Sequence, residues 1–324
     1  MLALFLVAQT VWRKAYYGEW LPMTYYLKMT GLPMWARVRR GLIALYYFAR
    51  GMFWPLVLFP ASLAIFRRDK KLLLLALIFV AQCAYSAYVG GDAWEHRGGA
   101  NRFVALGMPA FFLLFSLAVS AWTQWGRRFL ARISSRLGWL AAPGLALFVI
   151  LSVLMMNRLV DNGSPISNLR NPEKGALRFF LLLERSIYVP GNERYTRDAL
   201  VLQEVTTPQA RVAVVAAGNT PYFMHRYAID LLGKGDAIIA KGPVQVPPDA
   251  DWLELRPGHI KFNYAYSLGQ LQPDVVVELR VSTYDIGEKY LQNYEKIKLN
   301  GHNMYFKKGS PYVLWEKAYE LREN

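Results

Sequence analysis

The stretch YVGGDAWEHRGGANRF (88–103) sets two carboxylates, a histidine and an arginine between two glycine pairs, with a second arginine, Arg102, just after them. Gly90, Gly91, Gly98 and Gly99 permit sharp turns that bring backbone close to a ligand. The side chains between them admit three chemistries. Asp92, Glu95 and His96 are ligand types that suit a divalent cation. Arg97 and Arg102 suit an anionic lipid headgroup, with a carboxylate of the loop positioned by the arginines through paired hydrogen bonds. A solvated charged loop is the third. Cations nearby favour a charged carboxylate. That suits Asp92 to position Arg97 or Arg102 more than to donate a proton.

A second concentration is RKAYYGEWLPMTYYLK (13–28), where Arg13, Lys14 and Lys28 alternate with Tyr17, Trp20 and other aromatic rings around Glu19. Aromatic belts of this kind anchor chains at a membrane interface. The same residues also make a lipid-headgroup site, with cations on a phosphate and rings against a sugar or an acyl tail. Further along, AAGNTPYFMHRYAIDLLG (216–233) follows a short apolar run, a place where α/β sheets present ligands. It lacks both the glycine fingerprint of dinucleotide sites and a phosphate-loop lysine. His225 and His259 have no ligand spacing, and no nucleophile elbow, zincin pattern or nucleic-acid signature is present. Cys83 is the sole cysteine, so intramolecular disulfides and cysteine zinc sites are excluded.

The elements that must position these residues fall into two unlike halves. Residues 1–156 hold 17 Lys/Arg and four acids, a net of +13, whereas 157–324 hold 21 and 19, a net of +2. The whole chain is 54% hydrophobic, and on this division the first half reads as membrane-embedded and the second as an α/β domain. Apolar stretches at 41–66, 72–89, 103–122 and 139–156 predict spans, and 1–12 predicts the tail of another. Basic clusters at 67–71 and 127–136 belong on the cytoplasmic side by the positive-inside rule. The loop 90–102 and everything after Met156 then face outward. So does 13–40, whose six cations break that rule and ask for an anionic partner at the outer face. In the second half, helical spacing predicts helices at 171–187, 194–205 and 259–271. Runs at 211–215, 274–279, 304–306 and 312–315 predict strands. A linker is expected near 157–167.

Four segments in one order carry a resemblance: R-K-A-Y-Y-G-E-W-L-P-M-T-Y-Y-L-K, Y-V-G-G-D-A-W-E-H-R…N-R-F-V-A-L-G-M-P, A-A-G-N-T-P-Y-F…R-Y-A-I-D-L-L-G and P-G-H-I-K-F-N-Y. Together they resemble polytopic GT-C glycosyltransferases, similar to the terminal β-1,2-arabinofuranosyltransferases of mycobacterial cell walls and their bacterial relatives. The resemblance implies a membrane helical bundle, partial here, followed by an extracytoplasmic α/β domain in a bacterial inner membrane. It also implies inverting transfer of a sugar from a polyprenyl-phosphate donor to a cell-envelope glycan, with the bilayer as a partner and no nucleic acid. Asp92, in a supporting role that positions arginines or the acceptor hydroxyl, and Glu19 would belong to the catalytic centre. Arg13, Tyr17, Lys28, His96, Arg97 and Arg102 would hold the donor lipid and phosphate, and Asp230, His259 and Lys261 the acceptor. The resemblance requires no cofactor and leaves a divalent metal open. In the family the base sits on an outer loop with no counterpart before Trp12, so the chain is expected to be a C-terminal portion. Where relatives carry L-P-N-T, this chain has Leu21-Pro22-Met23-Thr24. The alternative is a non-catalytic membrane-anchored component that binds glycan or protein.

Overall fold

The computed structural model describes residues 1–52, 54–92, 101–156, 189–251, 253–280 and 283–323. Two compact units emerge. One comprises 33–186 with 251–257, and the other comprises 1–32, 187–250 and 258–324. Residues 1–32 form helices α1 (Leu2–Tyr17) and α2 (Met23–Met29). They therefore count with the sheet and not with the following helices.

The helical unit contains α3 (Met34–Gly51), α4 (Trp54–Arg67), α5 (Lys70–Tyr88), the short α6 (Arg102–Ala105), α7 (Met108–Ile133) and α8 (Ala141–Met156). The segment 41–66, predicted as one span, is divided between α3 and α4. Pro55 stands in the first turn of α4, where a missing N–H costs nothing because no intrahelical acceptor exists there. Asp69 caps α5, its carboxylate accepting from the amides of Lys71 at 2.7 Å and Leu72 at 3.4 Å. Two helices among the described residues, Lys70–Val89 and Met108–Ile133, are long and apolar enough to cross a membrane, and only 22% of each apolar window is buried. Phe79 of α5 meets Phe111 of α7 at 4.9 Å between ring centres. Trp122 of α7 donates to Ser62 Oγ of α4 at 2.9 Å. The opposite faces stay bare, with Leu74, Leu77 and Val80 on α5 and Phe112 and Leu113 on α7 all exposed.

The second unit is a mixed five-stranded sheet. Helix α9 (Val189–Val205) leads into β1 (Arg211–Val214), α10 (Asn219–Met224), β2 (Tyr227–Asp230) and α11 (Ala237–Lys241). A wide helical turn at Ala265–Gln270 then precedes β3 (Val275–Val276), α12 (Tyr284–Glu288), β4 (Tyr294–Leu299), β5 (His302–Lys307) and α13 (Trp315–Glu320). Strand order is β2-β1-β3-β5-β4. The first three strands run parallel, and β5 pairs antiparallel with both β3 and β4. Side chains alternate across β1. Val212 and Val214 join Leu202, Ile297, Met304 and Phe306 in one core, while Ala213 joins Ile229, Leu268, Val276 and Tyr305 in the other. A strand covered on both faces reads as a continuous apolar run, which is why 211–215 was legible.

Three expectations are corrected in this unit, the first being the strand predicted at 274–279, which is confined to Val275–Val276. The helix predicted over 259–271 is confined to 265–270. The strand expected at 312–315 reduces to one bridge, Thr206 to Val313, because Trp315 opens α13. Strands β2 and β4 were not anticipated. The helix at 171–187 and the linker at 157–167 lie outside the described residues.

Candidate functional site

Helix α3 places Arg37 and Arg40 three residues apart, hence on one face. Both are buried, Arg40 to 1% exposure and Arg37 to 5%. Close contact between α3 and α5 brings them to the end of α5. A side chain at Gly41 would put its Cβ 2.3 Å from the Ala87 carbonyl oxygen, so only glycine lets the two backbones meet. Beyond α5 the chain turns through Gly90 and Gly91, with φ of +87° and +74°. Those are left-handed conformations that glycine adopts without steric cost.

Arginines hold this turn from three directions. Arg37 Nε donates to the Tyr88 carbonyl at 3.3 Å, its guanidinium 5.4 Å from the Tyr88 ring centre. Arg40 Nη1 donates to the Gly90 carbonyl. Arg102 grips Asp92 with two side-chain bonds, Nε to Oδ2 at 2.6 Å and Nη2 to Oδ1 at 2.7 Å. The Arg102 amide adds a third bond to Oδ2 at 3.1 Å. Asp92 itself is buried to 1% exposure, while the Arg102 side chain is 65% exposed. Asn101 sets the approach of Arg102. Its Oδ1 caps α6 by accepting from the amides of Phe103 and Val104. Its Nδ2 donates to Ser86 Oγ at 2.8 Å, which ties α6 to the last turn of α5.

The electrostatics follow from the inventory. Between residues 33 and 156 there are 14 Lys/Arg and three acids. Of those acids Asp69 is engaged in capping α5 at the opposite end, about 28 Å away along a 19-residue helix. Asp92 is bound by Arg102. Among the described residues, three arginines and one carboxylate therefore meet at the turn, and buried guanidinium groups act more strongly on an anion than they would in water. Such an arrangement can bind a phosphate or stabilise an anionic leaving group. A buried carboxylate locked in a two-pronged pair orients its arginine, and that is the chemistry available to Asp92.

Of the residues singled out in the loop, Glu95, His96 and Arg97 lie outside the described residues. Among the described residues no group of three metal-ligand side chains occurs. Arg37 and Arg40 were seen in the sequence only as members of a basic segment. Their i, i+3 spacing was the available signal, but their meeting with residues 50 positions later was not readable.

The other singled-out residues belong to the sheet unit. Glu19 pairs with Lys241 Nζ and accepts from the Tyr26 hydroxyl at 2.9 Å. Lys241 lies 5.0 Å from the Tyr26 ring centre. The hydrogen bonds from Lys241 and then Tyr26 lower the Glu19 pKa, and the same pair raises that of Lys241. Lys261 is 1% exposed. Its ammonium donates to the Tyr26 carbonyl at 2.9 Å, Thr30 Oγ1 at 3.0 Å and the Ala240 carbonyl at 2.8 Å. Three donors thus meet three oxygens and lash α2 to α11, and desolvation lowers the Lys261 pKa. Asp230 accepts from the amides of Leu232 at 2.9 Å and Gly235 at 2.6 Å, shaping the turn after β2. Lys28 lies against Gly258, where a side-chain Cβ would come within 3.2 Å of the lysine stem. His259 follows, half-buried. Arg13 donates to the Trp20 carbonyl at 3.3 Å, and Tyr17 is exposed beside Tyr16 and Trp12.

Comparison with known proteins gives one match. A family model described as a domain of unknown function (DUF8728) matches residues 186–318, fewer than half of the chain. That span coincides with the sheet-bearing part of the second unit and carries no assigned chemistry. No curated protein and no solved structure matches the chain.

Proposed function

We propose that the chain acts as a membrane glycosyltransferase, taking a sugar from a polyprenyl-phosphate donor and passing it with inversion to a cell-envelope glycan on the outer face. The observation that carries this reading is the turn 88–92, bonded by the guanidinium groups of Arg37, Arg40 and Arg102 in a region rich in positive charge. Transfer from such a donor releases a lipid phosphate. A site that concentrates cations stabilises the charge as it develops, which lowers the barrier more than binding the neutral part of the substrate does. No nucleotide is needed, because the donor is already activated.

Helix α5 supports the placement. Its 19 residues span about 28 Å, close to the hydrocarbon thickness of a bilayer. Arg67, Arg68, Lys70 and Lys71 stand at one end and the arginine-bound turn at the other. With the basic cluster cytoplasmic, the turn lies at the outer surface. The test is transfer of labelled sugar from a polyprenyl-phosphate donor to a glycan acceptor by the full-length protein in nanodiscs. Sugar incorporation with stoichiometric release of polyprenyl phosphate is the expected result. Donor binding without transfer favours the non-catalytic binding component instead.

A further inference from the structure

Away from the arginine-bound turn, at the basic end of α4 and α7, a cavity of about 470 Å³ opens between the two helices. Leu63 and Phe66 of α4 line it together with Trp122 and Trp125 of α7, and Arg67 and Arg128 stand among its lining residues. Its volume falls within the range of small-molecule sites, about 300–1,000 Å³. The aromatic wall is internally braced. Phe66 packs edge-on to Trp122 at 5.6 Å, and Trp122 to Trp125 at 5.4 Å. The indole N–H of Trp122 is satisfied by Ser62, so the wall holds its shape without an occupant. Both arginines are exposed.

We infer that this cavity binds an anionic phospholipid of the cytoplasmic leaflet, with an acyl chain against Phe66, Trp122 and Trp125 and the headgroup phosphate between Arg67 and Arg128. Charge complementarity selects this occupant. The sequence from 61 to 68 and from 118 to 140 contains no acid, whereas Arg67, Arg68, Arg127, Arg128, Arg132 and Arg136 crowd the same end. The nearest carboxylate in sequence, Asp69, is engaged with the first amides of α5. An apolar wall ending in two cations fits an amphiphile with a negative head, and basic pockets between membrane helices on the cytoplasmic side recognise such heads. A neutral lipid leaves both guanidinium groups without a counter-charge. This inference rests on the membrane reading of α5 and α7 and is independent of the transferase chemistry.

The test uses the full chain in phosphatidylcholine nanodiscs, doped with brominated-tail phosphatidylglycerol or with brominated-tail phosphatidylcholine. The signal is the indole emission lost in a W122F/W125F variant. Each arginine close to an anionic headgroup is worth about fivefold. Half-quenching by brominated phosphatidylglycerol is therefore expected at roughly 25-fold lower mole fraction than by its phosphatidylcholine counterpart. The double variant R67Q/R128Q abolishes that preference, and R136Q, which changes a cation outside the cavity, keeps it. Equal quenching by the two lipids, or a preference that survives in R67Q/R128Q, overturns the site. Displacement by millimolar glycerol phosphate assigns it to a soluble anion and overturns the lipid occupant. Absence of quenching by either lipid overturns the membrane reading on which the inference stands.

Discussion

Replacing Asp92 with Asn keeps the size and shape of a side chain that is 1% exposed and removes only its charge. In the native arrangement two guanidinium N–H groups meet two carboxylate oxygens at 2.6 and 2.7 Å. In the variant one of those positions becomes an NH2 group facing another donor, so at least one charge-assisted bond is lost. Such bonds contribute about 1.5–3 kcal/mol each. Breaking a fully buried pair costs more, about 3–5 kcal/mol, but the Arg102 side chain is 65% exposed and water takes over much of its solvation. The net loss is therefore about 1.5–3 kcal/mol. If Arg102 must be held in place for the leaving phosphate, kcat/KM for the lipid donor falls roughly 10- to 150-fold. The assay is donor-dependent transfer at matched membrane abundance, run on D92N, R102Q and the double variant. Because the two residues act as one unit, the double variant loses little more than either single change. Native turnover in D92N, or simple multiplication of the two single losses, refutes the role given to the pair.

Three further outcomes follow from particular contacts. Lys261→Met strands three neutral oxygens that the ammonium satisfies and costs about 1–3 kcal/mol of unfolding free energy; because the native Lys261 pKa lies below the unfolded value, the unfolded chain holds more protons there, so native stability rises with pH toward about 10.4 and the variant lacks that slope in thermal melts. Glu19→Gln removes a carboxyl held below its ordinary 4.5; the native contribution is complete above that value and is lost as pH falls through the lowered pKa, so hydrogen exchange in 19–30 accelerates with acid in the native chain, after correction for intrinsic rates, and not in the variant. Gly41→Leu drives a side chain into the Ala87 carbonyl, and overpacking of about 3 kcal/mol or more should appear as a sharply lowered melting temperature in detergent; an unchanged melt would show that α3 and α5 do not meet there.

Long apolar periodicity and charge clustering made the helical half legible. The span read at 72–89 is α5 within two residues, since Asp69 caps its start and the glycine pair follows its end. Reading 41–66 as one span gave hydropathy more weight than Pro55, whose position in a first turn was the available signal. In the sheet unit, β1 announced itself as an unbroken apolar run. Strand β4 did not, because Tyr294, Ile297 and Leu299 are buried among the more accessible Glu295, Lys296 and Lys298, as an edge strand allows. The run at 312–315 has four apolar residues, yet Trp315 packs on Phe306 from the start of a helix. At the site, Asp92 was legible as a rare acid beside glycines, and its arginine was one of two candidates. The contributions of Arg37 and Arg40 were not readable, because they depend on the close approach of α3 to α5 at Gly41. Equally hidden was the pairing of Lys261 with Tyr26 and Thr30, more than 230 residues apart.

Everything proposed for the turn 88–92 depends on its recognising the phosphate of a lipid donor, and that is measurable without turnover. Equilibrium binding of polyprenyl phosphate and of the corresponding polyprenol to the full chain in nanodiscs isolates the phosphate from the tail. The phosphate should bind at least tenfold more tightly than the alcohol, and Arg40→Gln should bring the two together. Equal affinity for phosphate and alcohol in the native chain, or a phosphate preference untouched in Arg40→Gln, contradicts that recognition.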